Sequence, residues 1–348
     1  MVLFSLIKIS VLATIAFIIT ILWTPILTHF LYKYRLSKRI RDSQSAPIFA
    51  RLHQPKQGTP TMGGLLIWVT TAVLILFIFY LAKFTGLEFF EKLNFLSRGQ
   101  TLLPLGVLVA SALVGLFDDL LNIKGIGPKG GGLKMRHRLI LYTLIAVVSA
   151  WWFYSKLEWD LIHIPFLGDF NIGWWFIPFF IFTIVATTFS VNETDGLDGL
   201  AGGTLLIAFA SYGAIAFFQG RYDLATFSGV IVGALIAFLW FNIYPARFFM
   251  GDTGAMSLGI TLGIIAFLTN QILLLPLIGF IFVVESFSVI IQTISKKIRK
   301  KKIFLSTPIH HHFEAIGWPE PKVVMRFWLI SGIMAIIGLT VFLMERIV

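Results

Sequence analysis

Ten apolar runs, spaced from one end of the chain to the other, leave little choice of fold. They lie near residues 9–32, 63–82, 101–117, 139–154, 174–191, 201–218, 224–243, 254–269, 272–294 and 325–344. A helix needs roughly 20 apolar residues to cross the hydrocarbon of a bilayer. Only 13% of the residues are charged and 57% are hydrophobic, whereas a water-soluble chain carries about 25% charged residues. A soluble fold would need an enormous core with almost no polar surface around it. The expectation is therefore an all-α, polytopic integral membrane protein with about ten transmembrane helices, forming one domain over residues 1–348. No internal repeat or soluble module interrupts it.

The first run follows a single lysine, Lys8, and no small-residue cleavage site comes after it. It exceeds the short apolar stretch of a signal peptide and reads as a retained helix. The run at 254–269 is the weakest, and it abuts Asn270–Gln271, which implies a very tight external turn. Residues 158–173 are too polar to span and too apolar for a plain loop, so an interfacial segment or a short hairpin is expected there.

Basic residues then orient the bundle. The first connection holds Lys33, Arg35, Lys38, Arg39, Arg41, Arg51 and Lys56. The third holds Lys124, Lys129, Lys134, Arg136 and Arg138, and the ninth carries Lys296, Lys297, Arg299, Lys300, Lys301, Lys302 and Lys322. The fourth has only Lys156, the sixth only Arg221, and the eighth none. In the second, Lys83, Lys92 and Arg98 are offset by Glu88 and Glu91. Cytoplasmic loops carry the lysine and arginine excess, so odd-numbered connections read as cytoplasmic, the fifth and seventh by alternation alone, and both termini as extracytoplasmic. The net charge of +11 thus lies beside apolar spans, where anionic head groups would meet it. A membrane-lipid partner accounts for it and a nucleic acid does not. With no cysteine in the chain, disulfides, iron–sulfur clusters and thiolate zinc sites are excluded.

The unusual polar residues gather on that same cytoplasmic side. "LFDDLLNI" (116–123) places Asp118 and Asp119 where the third span meets the cytoplasm. The carbonyl end of a helix disfavours negative charge, so a divalent cation, a proton carrier, or plain neutralisation by Lys124 or Arg136 must offset the pair. "SVNETDGLDGLAGG" (190–203) brings Asn192, Asp195 and Asp198, which share a face if the stretch is helical. Alternatively, Asp198 caps the following helix. In "FNIYPARFFMGDTG" (241–254), Asp252 opens a span whose orphan N–H groups would attract phosphate. A carboxylate there repels phosphate unless Mg²⁺ sits between, and the hard oxygen donors suit Mg²⁺ or Mn²⁺; simple capping is the other reading. His310, His311 and His312 are consecutive and internal, suited to hydrogen bonding a phosphate or sugar, or else a solvated loop. Glu285, Ser288 and Gln292 make one polar stripe along the ninth run, functional or bundle-pairing by its depth. "GIGPKG" (125–130) fits a dinucleotide-binding pattern but follows a membrane helix, not a strand, and reads as a loop.

Together these clusters resemble the polyprenyl-phosphate N-acetylhexosamine-1-phosphate transferase superfamily over essentially the whole chain. Its adjacent aspartates fall on Asp118 and Asp119, its "DGLDG" on Asp195 to Gly199, and its "FxGD" on Phe249 to Asp252. "KQGTPTMGG" (56–64), "NxxPAxxFMGDTG" (242–254) and "TPIHHHFE" (307–314) resemble the narrower phospho-N-acetylmuramoyl-pentapeptide transferase branch. Glu193 stands where that branch has a hydrophobic residue, and Asn122 where it often has lysine.

The resemblance implies a bacterial inner-membrane enzyme, working on the cytoplasmic face, in a family of homodimers. Its reaction moves phospho-MurNAc-pentapeptide from UDP-MurNAc-pentapeptide to undecaprenyl phosphate and releases UMP. Asp252 is the implied Mg²⁺ ligand, with Asp118 handling the lipid phosphate as a base or by orienting it, a covalent aspartyl-phosphate route staying open, and Asp119 supporting charge or metal geometry. Asn192, Asp195, Asp198 and Asn242 would hold the nucleotide, and Lys56 with His310–His312 the phosphate or muramoyl portion. Transfer of GlcNAc-1-phosphate, or transport of a lipid-linked anion, are the competing readings. The former gives no reason for "TPIHHHFE", and the latter needs more intramembrane charge than the spans supply.

Overall fold

The computed structural model describes residues 2–37, 54–127 and 131–347. Lys38, Arg39, Arg41, Arg51, His53 and Lys129, and part of the 125–130 loop, lie outside them. In chain order the helices are α1 (Val2–Lys33), α2 (Leu65–Thr85), a short α3 (Glu88–Leu93), α4 (Leu102–Lys124) and α5 (Met135–Lys156). After a hairpin come α6 (Phe176–Thr194), α7 (Leu200–Phe218), α8 (Tyr222–Asn242) and α9 (Gly251–Leu268). The chain ends with α10 (Leu275–Ile278), α11 (Phe280–Ile298), α12 (Ile309–Ala315) and α13 (Glu320–Glu345). Among the described residues nine helices are long and apolar enough to cross a bilayer, and ten if the bent α10–α11 pair counts as one span.

The weakest apolar run turns out to be the axis of the bundle. Every residue of α9 is buried, so lipid never touches it and its sequence need not be greasy. Ser257 and Thr261 return their hydroxyls to the carbonyls of Thr253 and Ser257 at 2.6 and 2.7 Å. Helices in lipid gain little from the hydrophobic effect and associate through close packing. Accordingly, a β-carbon built on Gly115 of α4 would lie 2.3 Å from the Asp252 carbonyl oxygen. Farther along, Phe267 stacks into a cluster with Phe180 at 4.4 Å, Phe176 at 5.6 Å and Phe153 at 6.1 Å between ring centres.

At the far end of α9 the expected tight turn is present, with Asn270 at φ 53°. Residues 158–173 form a short hairpin, as one of the two sequence readings has it. β1 (Leu161–Ile164) pairs antiparallel with β2 (Gly168–Asn171), Ile162 opposite Phe170. Asn270 accepts from the His163 amide at 3.2 Å and donates to Asp169 at 3.1 Å. The His163 ring lies between Asp169 and Glu345, at 2.7 and 2.6 Å, tying the hairpin to the end of α13.

The ninth run is not the single straight span its sequence suggests. It breaks at Gly279, where α10 and α11 meet at 81°. The reason lies in α11 itself: Glu285, Ser288, Gln292 and Ser295 are buried along one side, while Phe287, Ile290, Ile291, Ile294 and Ile298 are exposed. Gln292 accepts the amides of Ile303 and Phe304 at 2.9 and 3.1 Å, and Ser295 bonds the Lys301 carbonyl at 2.9 Å. The polar stripe therefore faces the chain's own return loop.

The contact at Gly115 makes a direct prediction. Gly115→Ala sets a methyl against backbone that cannot rotate away and should destabilise the protein by about 1–3 kcal/mol. Gly106→Ala, on the same helix with nothing within 4 Å, should cost nothing. Unfolding of the detergent-purified variants measures both, and equal stability would contradict the close approach of α4 to α9.

Candidate active site

Antiparallel succession of the helices brings the C-terminal half of α4, the start of α5, the end of α6 and the start of α9 to one end of the bundle. Asp252 enters in the first turn of α9. Gly251, at φ 76°, sits so close to Asp119 that a β-carbon would lie 2.6 Å from its Oδ2. Asp119 then accepts the amides of Asp252 and Thr253 at 3.1 and 3.0 Å. It therefore supplies the N-terminal cap of α9 from another helix, and both of its oxygens engage that helix start. Asp252 does not cap its own helix.

The paired aspartates are not at a helix end. α4 continues to Lys124, so the neutralising charge comes from elsewhere than a following loop. Asp118 is fully buried; its Oδ1 accepts the Leu133 amide at 2.5 Å and its Oδ2 lies 2.6 Å from Arg138 Nε. The same guanidinium reaches Asp252 Oδ2 through Nη2 at 3.0 Å and donates to Asn192 Oδ1 through Nη1 at 3.2 Å. Asn192 in turn donates to Asp252 Oδ1 at 2.7 Å. One cation thus joins Asp118, Asn192 and Asp252, carried by three helices.

Sequence reading counted Arg138 only among the basic residues of the third connection. The sole signal was its position: α5 begins at Met135, and cations are disfavoured in a first turn unless something else holds them. Neighbouring Lys134 and Arg136 look the same in one dimension.

A second cluster forms the adjoining wall. Lys56 contacts Asp198 Oδ1 at 2.7 Å and Glu320 Oε1 at 2.5 Å, and Glu320 also accepts the Asp198 amide at 2.7 Å. Asp198 Oδ2 accepts the Ala246 amide at 3.0 Å. α6 ends at Thr194 and α7 starts at Leu200, so Asp195 and Asp198 do not share a helical face, and no side chain caps α7. Asp195 is left half-exposed at the turn. Asn242 is buried, accepting from Gly199 at 3.0 Å and donating to the Phe248 carbonyl at 2.8 Å. Glu320, absent from the sequence-level candidates, is the second acid that holds Lys56.

The histidines divide. His310 is fully buried with Nδ1 3.0 Å from Glu285, and His311 Nδ1 lies 2.8 Å from Glu314. A β-carbon on Gly196 would be 2.2 Å from His310 Nε2, which places this pair against the "DGLDG" turn. His312 stands apart, accepting the Leu305 amide at 3.3 Å. The segments at 56–64 and 248–252 are laced together by backbone bonds from Phe249 to Pro60, Gly63 to Phe249 and Gly64 to Met250, each 2.8 Å.

This geometry coincides with the matches to known proteins. The family described as Glycosyl transferase family 4 matches residues 101–270, and a phospho-N-acetylmuramoyl-pentapeptide-transferase signature matches 56–67. The phospho-N-acetylmuramoyl-pentapeptide-transferase of Chloroflexus aggregans is 41% identical over 342 residues, spanning 94% of this chain and 88% of that protein. The chain belongs to the phospho-N-acetylmuramoyl-pentapeptide-transferase family. Relatives of the same description from Geobacillus sp. and Bacillus subtilis are each 39% identical, covering 95% and 93% of this chain and 97% and 94% of their own lengths. The transferase match includes Asp118, Arg138, Asn192 and Asp252, whereas the signature covers Lys56 and the laced segment after it.

The cap made by Asp119 can be tested apart from catalysis. Asp119→Ala should destabilise the protein by about 1–2 kcal/mol, the usual cost of losing a helix cap, and Asp119→Asn by less. Stability like that of wild type in Asp119→Ala would contradict the capping role.

Proposed function

We propose that the chain transfers phospho-MurNAc-pentapeptide from UDP-MurNAc-pentapeptide to undecaprenyl phosphate, at the cytoplasmic end of a single bacterial inner-membrane domain with both termini outside. The observation that carries the site assignment is the meeting of Asp118, Asn192 and Asp252 on one guanidinium, in a chain that aligns with its transferase relatives over nearly its whole length.

An oxygen of the lipid phosphate attacks the phosphorus that bears the muramoyl group. The bond from that phosphorus to the bridging oxygen breaks, and this oxygen leaves with UMP. Such reactions depend mainly on positioning and on neutralising charge at the transferring oxygens. The second phosphate pKa is near 6, so the acceptor is largely dianionic at neutral pH and needs no strong base. Asp118 accepts the Leu133 amide through Oδ1 and is ion-paired with Arg138 through Oδ2, which supports an orienting role and direct attack over an aspartyl-phosphate route. Arg138 brings positive charge to the place where two anionic substrates must meet. His310 and His311 would meet the muramoyl portion beside the "DGLDG" turn, with Asp195 at its half-exposed edge. Lys56, Asp198 and Asn242 hold the wall in shape, since their polar groups bond one another and the backbone.

Family membership implies Mg²⁺ dependence. Among the described residues no three imidazoles or carboxylates stand in a ligating group, but Mg²⁺ keeps several waters and needs only one or two carboxylates besides substrate phosphates. The carboxylate oxygens that meet Arg138 are hard donors suited to it: Asp252 would hold the ion by exchanging its contacts with Arg138 and Asn192, with Asp118 on the same guanidinium. When bound, Mg²⁺ supplies charge neutralisation of the diphosphate.

Asp252→Ala is expected to lower UMP release by about 10²–10³-fold or more, the scale of losing a group that stabilises transferring charge, in protein that remains folded. Near-wild-type turnover would remove Asp252 from the site. Direct attack further predicts that UMP forms only when undecaprenyl phosphate is present. Radiolabel trapped on the protein without acceptor would contradict it, and turnover of UDP-GlcNAc in place of the muramoyl donor would overturn the substrate assignment.

A further inference from the structure

Lys56 and Arg138, at the working end of the bundle, are matched by carboxylates. A groove on the outside of α1 is different. It encloses about 370 Å³ between α1 and the turn that follows α8, and its lining includes Thr28, His29, Tyr32, Lys33, Phe241 and Arg247, with no carboxylate among the described residues. Tyr32 donates to the Arg247 carbonyl at 2.9 Å, which staples the turn to α1. The Arg247 guanidinium rests over the Phe241 ring at 5.7 Å. Both Lys33 and Arg247 are exposed.

We infer that this groove binds the headgroup of an anionic glycerophospholipid. Three observations converge on that occupant. The first is depth: α1 has 32 residues and is about 48 Å long at 1.5 Å per residue, against a hydrocarbon thickness near 30 Å. Its last turns therefore stand at headgroup level. The second is charge, since Lys33 and Arg247 supply donors on both walls with no acid between them among the described residues, and lysine and arginine near an anionic membrane surface attract its lipids. The helix end does not oppose an anion, because Tyr34, Arg35 and Leu36 cover the final carbonyls of Phe30, Tyr32 and Leu31. The third is the path below. Leu22, Ile26, His29 and Lys33 follow one stripe of α1 at helical spacing; Leu22 and Ile26 are exposed at 70% and 59%, and Trp240 on α8 is exposed at 74%. An acyl chain has an apolar track leading to a cationic head.

The groove also touches the machinery at one remove. Arg247 directly follows Ala246, whose amide bonds Asp198, and lies five residues before Asp252. A bound headgroup would brace the turn from outside while leaving the reacting groups untouched.

Native mass spectrometry of the full-length protein, carried in detergent with phosphatidylglycerol or phosphatidylcholine, tests this. Wild type should retain phosphatidylglycerol in preference to phosphatidylcholine. The double variant Lys33→Gln with Arg247→Gln should bind phosphatidylglycerol about 30-fold more weakly, the loss expected from two interfacial cations, with phosphatidylcholine binding unchanged. UMP release in detergent that contains undecaprenyl phosphate but no phospholipid should match wild type and serves as the check on folding. If that activity falls, Thr28→Glu, which places an acid in the groove, supplies the comparison instead. Undiminished phosphatidylglycerol binding in the variants would overturn the inference. So would equal retention of phosphatidylcholine by wild type, or a loss of dimer in place of a loss of lipid.

Discussion

A carboxylate buried among helices in a bilayer has to find positive charge, and here two of them find the same one. Arg138 bridges Asp118 and Asp252 and takes Asn192 as a third partner. Separating such a buried pair typically costs about 3–5 kcal/mol, because the group left behind keeps its desolvation penalty. The ends of α4, α5, α6 and α9 are therefore held in register by electrostatics that the lipid cannot replace. Packing does the same work along the length of α9, where glycine on α4 permits near contact of the two backbones. Rigid placement of donors and acceptors in this way is what phosphoryl transfer asks of a protein.

The spans were legible because lipid imposes length and hydropathy on any helix that faces it. Where a helix does not face lipid, that reading weakens for a physical reason. α9 looked marginal because it is enclosed on all sides and can carry glycine, serine and threonine. The ninth run hid its break, since hydropathy does not register the angle at Gly279, although the stripe from Glu285 to Gln292 signalled a polar neighbour. The acids were legible as a group through their placement on one side of the membrane. Their individual roles were not, because a role depends on the partner. Asp119 spends both oxygens on the start of α9, while Asp118, its neighbour in sequence, meets Arg138. Arg138 itself was indistinguishable from the basic residues that orient the bundle.

Division of labour follows from these partners. Residues whose polar groups are satisfied by one another, such as Lys56 with Asp198 and Glu320, or Asn242 with Gly199 and Phe248, define the wall. Those that meet at Arg138 define the corner proposed as reactive. The opposite end of α9 repeats the pattern in a structural key, with His163 clamped between Asp169 and Glu345. On the outer surface, the cations near Tyr32 have no acid in their groove among the described residues, which suits them to the headgroup layer. Thus the same residue type, lysine or arginine, serves as scaffold, as site or as lipid contact according to what surrounds it.

Convergence on one cation is most directly tested by a double-mutant cycle on stability, using Asp118→Asn, Asp252→Asn and the combined variant. Groups that share a buried partner do not act additively, so a coupling energy of about 1 kcal/mol or more is predicted. Additivity within about 0.5 kcal/mol would mean that Asp118 and Asp252 do not answer to the same charge, and would contradict the arrangement on which the proposed chemistry stands.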